Sequence, residues 1–249
     1  MNGSKPQFRV PKHLLNCCAR RKYDWLAFTL IELLVVISII AVLAGLIVGL
    51  ARHAGQSNKR DRIWAEMNQV ITAIDAYKAH FGHYPPDNFS PSSKIVNPVT
   101  NQLFYELTGV LVDDAGARFR ARDRQQFVSA GPGGAVSKFF KRDGFVNAGT
   151  DLKTLKPFID LKASQRRVIT KAPDPEIEVL AVSVDWPNDP RFPPPFNFYP
   201  DPAIRRVNPW RYVSTNPTNN ADGFDLWAEF VEGGKVKVIC NWSKDVLDR

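Results

Sequence analysis

The sequence predicts an α+β protein in which a long N-terminal helix, with a membrane half and an amphipathic half, packs on a small C-terminal antiparallel sheet. An enlarged Pro-rich middle region separates the two. The apolar run Phe28 to Leu50 is followed by apolar residues at helical spacing, and two alternating segments near the C-terminus meet at Gly233-Gly234. A helix and a hairpin that each carry one apolar face bury those faces by packing together.

The composition indicates a folded chain with a basic N-terminus. The chain has 249 residues, 44% of them hydrophobic and 23% charged, which is enough apolar surface for a sizeable core. The net charge is +8, and residues 1–27 carry +5 of it. Basic residues directly before an apolar span hold that end in the cytoplasm. The charge therefore predicts membrane topology, and nucleic acid is not an expected partner.

The run Phe28 to Leu50 predicts a helix that crosses a membrane. About 20 helical residues span the hydrocarbon core, and this run contains a single charged residue, Glu32. A carboxylate at that depth costs on the order of 2 to 3 kcal/mol or more, so it marks a functional site. Ala41, Gly45 and Gly49 form a row of small residues, which either allows close helix packing or reflects simple tolerance of glycine.

An amphipathic half follows in the same helix. From Ile63 to Phe81, apolar residues recur three and four positions apart, and Gly82 with Pro85-Pro86 predicts the end of the helix. The predicted organisation is a basic cytoplasmic leader (1–27), a transmembrane helix (28–50), the amphipathic half (51–84) and a periplasmic globular domain (85–249).

The middle region, 87–206, shows weaker patterns. A short helix is predicted at 100–107, ended by Gly109, and strands are predicted at 127–129 and 179–184. Ten prolines between 174 and 217 predict an extended loop, since proline cannot donate to a strand ladder. That loop either lies across the domain surface or offers a polyproline face to a partner.

The C-terminal segments 224–231 and 235–242 predict an antiparallel hairpin. Both alternate apolar and polar residues, and Gly233-Gly234 supplies the turn. One apolar face is expected to combine residues of both strands, covered by the helix stripe. Its expected members are Phe224, Leu226, Ala228, Phe230, Val236, Val238 and Cys240.

The junction Ala27-Phe28-Thr29-Leu30-Ile31-Glu32 resembles that of type IV pilin-like proteins, whose leader is cut on the cytoplasmic side of the apolar helix. Further motifs resemble the major pseudopilin of type II secretion. They are Ala76-Tyr77-Lys78, Gly82-His83-Tyr84-Pro85, Asn208-Pro209-Trp210, Tyr212, Asp225-Leu226-Trp227 and Asn241-Trp242. The resemblance implies the pilin fold.

The resemblance also implies how the N-terminus works. Prepilin peptidase would cut between Ala27 and Phe28, and Phe28 would become an N-methylated amino terminus. Glu32 would pair with that amine on a neighbouring subunit, because an unpaired charge in lipid is costly. The family usually has Gly where Ala27 stands. An uncleaved signal anchor is the alternative interpretation.

The expected function is therefore a structural subunit of a pseudopilus or pilus-like fibre of a type II secretion-like system, and not an enzyme. The expected location is the inner membrane, with a single span and a periplasmic C-terminal domain. Partners would be other copies of the chain, prepilin peptidase, the inner-membrane secretion platform and membrane lipid. The alternatives are a type IV pilin for adhesion or DNA uptake, and a membrane-tethered periplasmic binding module.

Metal and cofactor signals are weak. Major pseudopilins hold calcium in a loop that corresponds to 231–235, where this chain has one acid and a lysine, so no cofactor is expected and calcium is not favoured. Asp222 and Asp225 are weak candidates for a displaced site, in a segment that also suits an ordinary turn. His80 and His83 lack further ligands nearby in sequence.

A basic stripe and a cysteine remain. Arg118, Arg120, Arg122 and Arg124 alternate along a predicted extended segment and would all point one way, either to phosphates or, as is favoured, to solvent and salt bridges. Cys240 lies in an alternating strand, and core packing is favoured over catalysis.

Overall fold

The computed structural model describes residues 29–90, 94–113, 117–129, 133–196 and 201–249, without the side chains of 46–56. Helix α1 covers Leu30–Phe81. The chain divides into two compact units, Met1–Ala51 and Arg52–Arg249, so the boundary falls inside α1. In the first unit, the large apolar side chains of 30–43 are exposed.

In the second unit, α1 contributes one buried stripe to the core. Ile63, Val70, Ile74 and Tyr77 are fully buried, as the three- and four-residue spacing predicted. The same hydrophobic cluster contains residues of the C-terminal sheet and of the middle region. The helix stops where Gly82 takes a positive φ of 83°, a conformation that favours glycine.

The first part of the middle region builds a four-stranded sheet. Its elements are α2 (Leu103–Thr108), β1 (Val110–Val112), β2 (Arg118–Ala121), β3 (Val128–Ser129), α3 (Ala135–Phe140) and β4 (Ala148–Gly149). The strand order is β3-β2-β1-β4, in which β1 and β4 run parallel and the other pairs are antiparallel. Gly109, with φ of 81°, ends α2 as the sequence predicted.

A second, two-stranded sheet follows. A 3-10 turn at Ala163–Gln165 leads into β5 (Arg166–Val168), which pairs antiparallel with β6 (Glu178–Leu180). Helix α4 (Pro202–Arg205) is capped by the Asp201 side chain, which accepts a hydrogen bond from the Ala203 amide at 2.8 Å. The Pro-rich stretch 174–217 therefore contains β6, α4 and a strand of the C-terminal sheet (Arg211–Val213) in addition to loop.

The C-terminal sheet has the order β10-β9-β8-β7 and is antiparallel throughout. Its strands are β7 (Arg211–Val213), β8 (Asp225–Glu232), β9 (Lys235–Cys240) and β10 (Leu247–Asp248). Gly233 and Gly234 form the two-residue turn with φ of 59° and 76°, which matches a type I′ hairpin.

The predicted composition of the hairpin face is wrong in β9. Ala228 lies opposite Ile239, and Phe230 lies opposite Lys237. Directly opposed residues share a face, so Leu226, Ala228 and Phe230 face the core with Ile239. Val236, Val238 and Cys240 lie on the other face, because the two-residue turn fixes a register that the strand patterns alone leave open.

The predicted architecture, a pilin fold with one small C-terminal sheet and an enlarged Pro-rich middle region, is wrong. The described residues contain five helices, one of them a 3-10 turn, and three sheets. Five strands of the middle region have only two or three residues, too few to show a two-residue period in sequence. Nor does any helix within the described residues have the length and apolarity needed to cross a membrane.

Candidate functional site

The Glu32 carboxylate lies at the start of α1 and caps it. Thr29 donates to Glu32 Oε2 through its backbone amide at 2.9 Å and through its hydroxyl at 2.8 Å. The Glu32 amide in turn donates to Thr29 Oγ1 at 3.3 Å. This reciprocal pair is a capping box, whose Thr-x-x-Glu signature was readable in the sequence and missed there. Glu32 therefore has a local role in starting the helix.

The described surface around Glu32 is apolar. The exposed large side chains are Leu30, Ile31, Leu33, Leu34, Val35, Val36, Ile37, Ile39, Ile40, Val42 and Leu43. Ala41 and Gly45 are exposed on the same helix, and a Cβ built on Gly45 meets nothing within 4 Å. Monomeric soluble proteins rarely expose an apolar patch of this extent. Its chemistry fits contact with lipid or with other helices.

Several predicted site residues lie outside the described residues. Ala27 and Phe28, the predicted cleavage and methylation positions, are among them. Gly49 lies within α1, but its surroundings fall in the part of the helix whose side chains are not described. Of the predicted assembly residues, the structure therefore describes the surroundings of Glu32, Ala41 and Gly45.

Comparison with family models, curated proteins and solved structures finds no match to this chain.

Of the two weak metal candidates, Asp225 has other partners. Asp225 is buried, and its carboxylate accepts the backbone amides of Thr218, Asn219 and Asn220, each at 2.9 Å. Asp222 is exposed nearby. Carboxylate oxygens that already accept several N–H groups have few lone pairs left to coordinate a cation. In the parts of the chain that the structure describes, no group of three or more His, Cys, Asp or Glu side chains could hold a metal.

The loop expected to correspond to the family's calcium site is the hairpin turn between β8 and β9. Its acid, Glu232, accepts Arg60 Nε through both oxygens, at 3.1 and 3.0 Å. This bidentate pair ties the amphipathic part of α1 to the end of the C-terminal sheet. The turn therefore has a structural role.

The predicted arginine stripe does not form a single face. β2 ends at Ala121, so only Arg118 and Arg120 lie on the strand. Arg118 pairs with Asp113 at 2.9 Å, and Arg124 pairs with Glu178 at 2.8 Å. Intramolecular carboxylates thus neutralise the guanidinium groups of Arg118 and Arg124, which a nucleic-acid interface would need for contacts to phosphates.

The histidines and the cysteine have packing roles. His80 contacts the rings of Phe81 and Phe158, with centroid distances of 4.7 and 5.8 Å. His83 Nδ1 lies 2.9 Å from the carbonyl oxygen of Tyr84. Burial raises the pKa of the Cys240 thiol, which lowers its reactivity at neutral pH. Cys240 is fully buried, as favoured from the sequence.

Proposed function

We propose that this chain is a structural subunit of a pseudopilus or pilus-like fibre of a type II secretion-like system. The observation that carries the proposal is a helix surface, 30–43, on which every large apolar side chain just named is exposed beside a single carboxylate, Glu32. Such a surface needs a cover, and identical helices in a fibre and the lipid from which they are drawn both supply one.

The junction at Ala27-Phe28 supports the same proposal. Prepilin peptidase would release an α-amine on Phe28, four residues before Glu32. An amine on a neighbouring copy would compensate the carboxylate in a medium that penalises a lone charge. The precursor would reside in the inner membrane, and the secretion platform there would draw the processed chain into the fibre.

The capping box makes a sharp test possible. Glu32→Gln keeps an oxygen that can accept from the Thr29 amide but removes the negative charge. Glu32→Ala removes both, and Ser38→Ala is a matched control, since Ser38 donates only to the Leu34 carbonyl of its own helix in the described contacts. We expect Glu32→Gln and Glu32→Ala to reduce incorporation into sheared fibres at least about tenfold, as loss of a paired charge in lipid requires. Ser38→Ala should assemble normally.

Mass spectrometry of the N-terminus, after co-expression with prepilin peptidase, reports processing separately. Cleavage before Phe28 with one added methyl group is the expected result. A chain that retains residues 1–27 would overturn the fibre proposal and favour a tethered module. Normal assembly of Glu32→Gln would leave capping as the role of Glu32 and would overturn the charge pair.

A further inference from the structure

A cleft of about 660 Å³ lies on the outward face of the C-terminal sheet. Its floor includes Arg211 of β7 and Glu229 of β8, which alternate with the core-facing residues of their strands. One wall of the cleft is the Pro-rich segment 186–195, which contributes Phe192, Pro193 and Pro195. The wall formed by 186–195 is thus mainly apolar but includes Arg191, and the floor is charged.

The floor of the cleft contains a buried, positively charged side chain, that of Arg211. The Arg211 side chain is 5% exposed, and its Nη2 lies 3.1 Å from Glu229 Oε2. The guanidinium lies 5.8 Å from the centre of the Trp186 ring. Burial lowers the pKa of Arg211 to about 10, against the opposing effect of Glu229, so the group stays charged at neutral pH.

Positive charge exceeds negative charge around the cleft. Arg249 also donates to Glu229 Oε2, at 2.6 Å, so two guanidinium groups share one carboxylate. Lys235 lies 3.9 Å from Asp248, whose carboxylate also accepts Lys237. The lining carries four basic side chains, Arg191, Arg211, Lys235 and Arg249, and two acidic ones, Glu229 and Asp248. Arg191 is paired with Asp189 at 2.7 Å, so the excess of positive charge comes from the other three. An anion that enters the cleft meets preorganised donors and compensates this excess.

We propose that this cleft binds a small organic carboxylate. The carboxylate would be held by the exposed guanidinium of Arg249 with Lys235, over the buried Arg211, and its apolar body would lie against Phe192 and the prolines. The volume falls in the range of about 300 to 1,000 Å³ that is typical of small-molecule sites and is far larger than one inorganic anion needs. None of the residues that line the cleft belongs to α1, so this proposal does not rest on the proposed fibre assembly.

The proposal is tested with benzoate and benzamide as probes. The two have nearly the same shape and differ in charge, and titrations into detergent without protein correct for their different partition. Isothermal titration of the purified full-length protein should show saturable benzoate binding at least about tenfold tighter than benzamide, the gain expected of charge-assisted hydrogen bonds. Equal affinity for the two probes, or no saturable benzoate binding, would overturn the proposal.

Two arginine variants locate the site. Arg249→Gln changes a side chain that is 66% exposed, so the fold should survive, and far-ultraviolet circular dichroism checks this. We expect benzoate affinity to fall at least about fivefold, as removal of one charged donor predicts. Arg205→Gln, on an exposed position of α4 outside the cleft lining, is the control and should bind as the unmodified chain does. Equal affinity of Arg249→Gln and the unmodified chain would place benzoate elsewhere and overturn the assignment.

Discussion

At the residue scale, the acids singled out by the sequence are held by their own neighbours. Glu32 closes a capping box with Thr29, and Asp225 organises the loop before β8 by accepting three successive amides. A buried carboxylate that accepts several backbone N–H groups compensates donors that water cannot reach. The same short-range Asn and Asp pattern that suggested a displaced calcium site thus forms a turn.

We expect Asp225→Ala to lower the free energy of unfolding by about 1 to 3 kcal/mol, because three amide donors lose their acceptor. Asp222→Ala, at an exposed neighbouring position, should change it by less than about 0.5 kcal/mol. Urea unfolding followed by tryptophan fluorescence measures both.

The role of Asp225 as an acceptor of backbone amides also predicts how the chain responds to calcium. Millimolar calcium, or its removal with a chelator, should leave the Tm of the unmodified chain unchanged, since a bound ion would raise it. A rise in Tm that Asp225→Ala abolishes would restore the calcium site and contradict the structural role assigned to this carboxylate.

At the element scale, the turn between β8 and β9 determines which residues the hairpin buries. Glu232 pairs with Lys235 across two glycines of positive φ, and this register places Ile239 opposite Ala228. A shift by one residue would move Val236 and Val238 to the core face and expose the current set. The conformation of this turn therefore stabilises the whole sheet.

Gly234→Ala should lower the free energy of unfolding by about 1 kcal/mol, because a Cβ is disfavoured at φ of 76°. Nothing lies within 4 Å of the added Cβ, so the cost is conformational. Gly144→Ala is the matched control, with equally open space and no positive φ. Chemical denaturation compares the two, and equal losses would rule out backbone strain as the cause.

At the scale of the whole molecule, a buried carboxylate joins α1 to the middle region. Glu106 of α2 is fully buried and accepts the Tyr77 hydroxyl at 2.8 Å. It also accepts the amides of Val146 and Asn147, at 2.9 and 3.0 Å. Removal of residues 110–206 would therefore expose the core around α1, and the middle region belongs to the fold whatever else it binds.

Burial raises the pKa of Glu106 above its ordinary value, in spite of the hydrogen bonds that favour the charged form. The folded chain then holds this proton more tightly than the unfolded chain, so protonation stabilises the fold as pH falls through the raised pKa. Relative to Glu106→Gln, the unmodified chain should gain unfolding free energy as the pH falls from neutral toward the ordinary glutamate pKa of 4.5. Parallel pH profiles of the two proteins, measured by urea unfolding, would contradict this.

Local patterns were sufficient for features that depend on neighbours in sequence. The spacing from Ile63 to Tyr77 predicted the buried stripe, because helix periodicity fixes which side chains share a face. Gly109 and the Gly233-Gly234 pair predicted a helix end and a hairpin, since each needs a positive φ that glycine tolerates. The Thr29 and Glu32 capping box was equally readable.

By itself, then, the sequence determined the apolar character of residues 28–50 and the buried face of the amphipathic helix segment. It also determined the positions of the glycines that end helices and form the hairpin turn. The tertiary structure alone decided the two sheets of the middle region, the face of β9 that is buried, the carboxylate partners of Arg118 and Arg124, and the cleft over Arg211. Strands of two or three residues carry no periodic signal. Ion pairs such as that of Arg60 with Glu232 join residues far apart in the chain, so only the folded arrangement selects them.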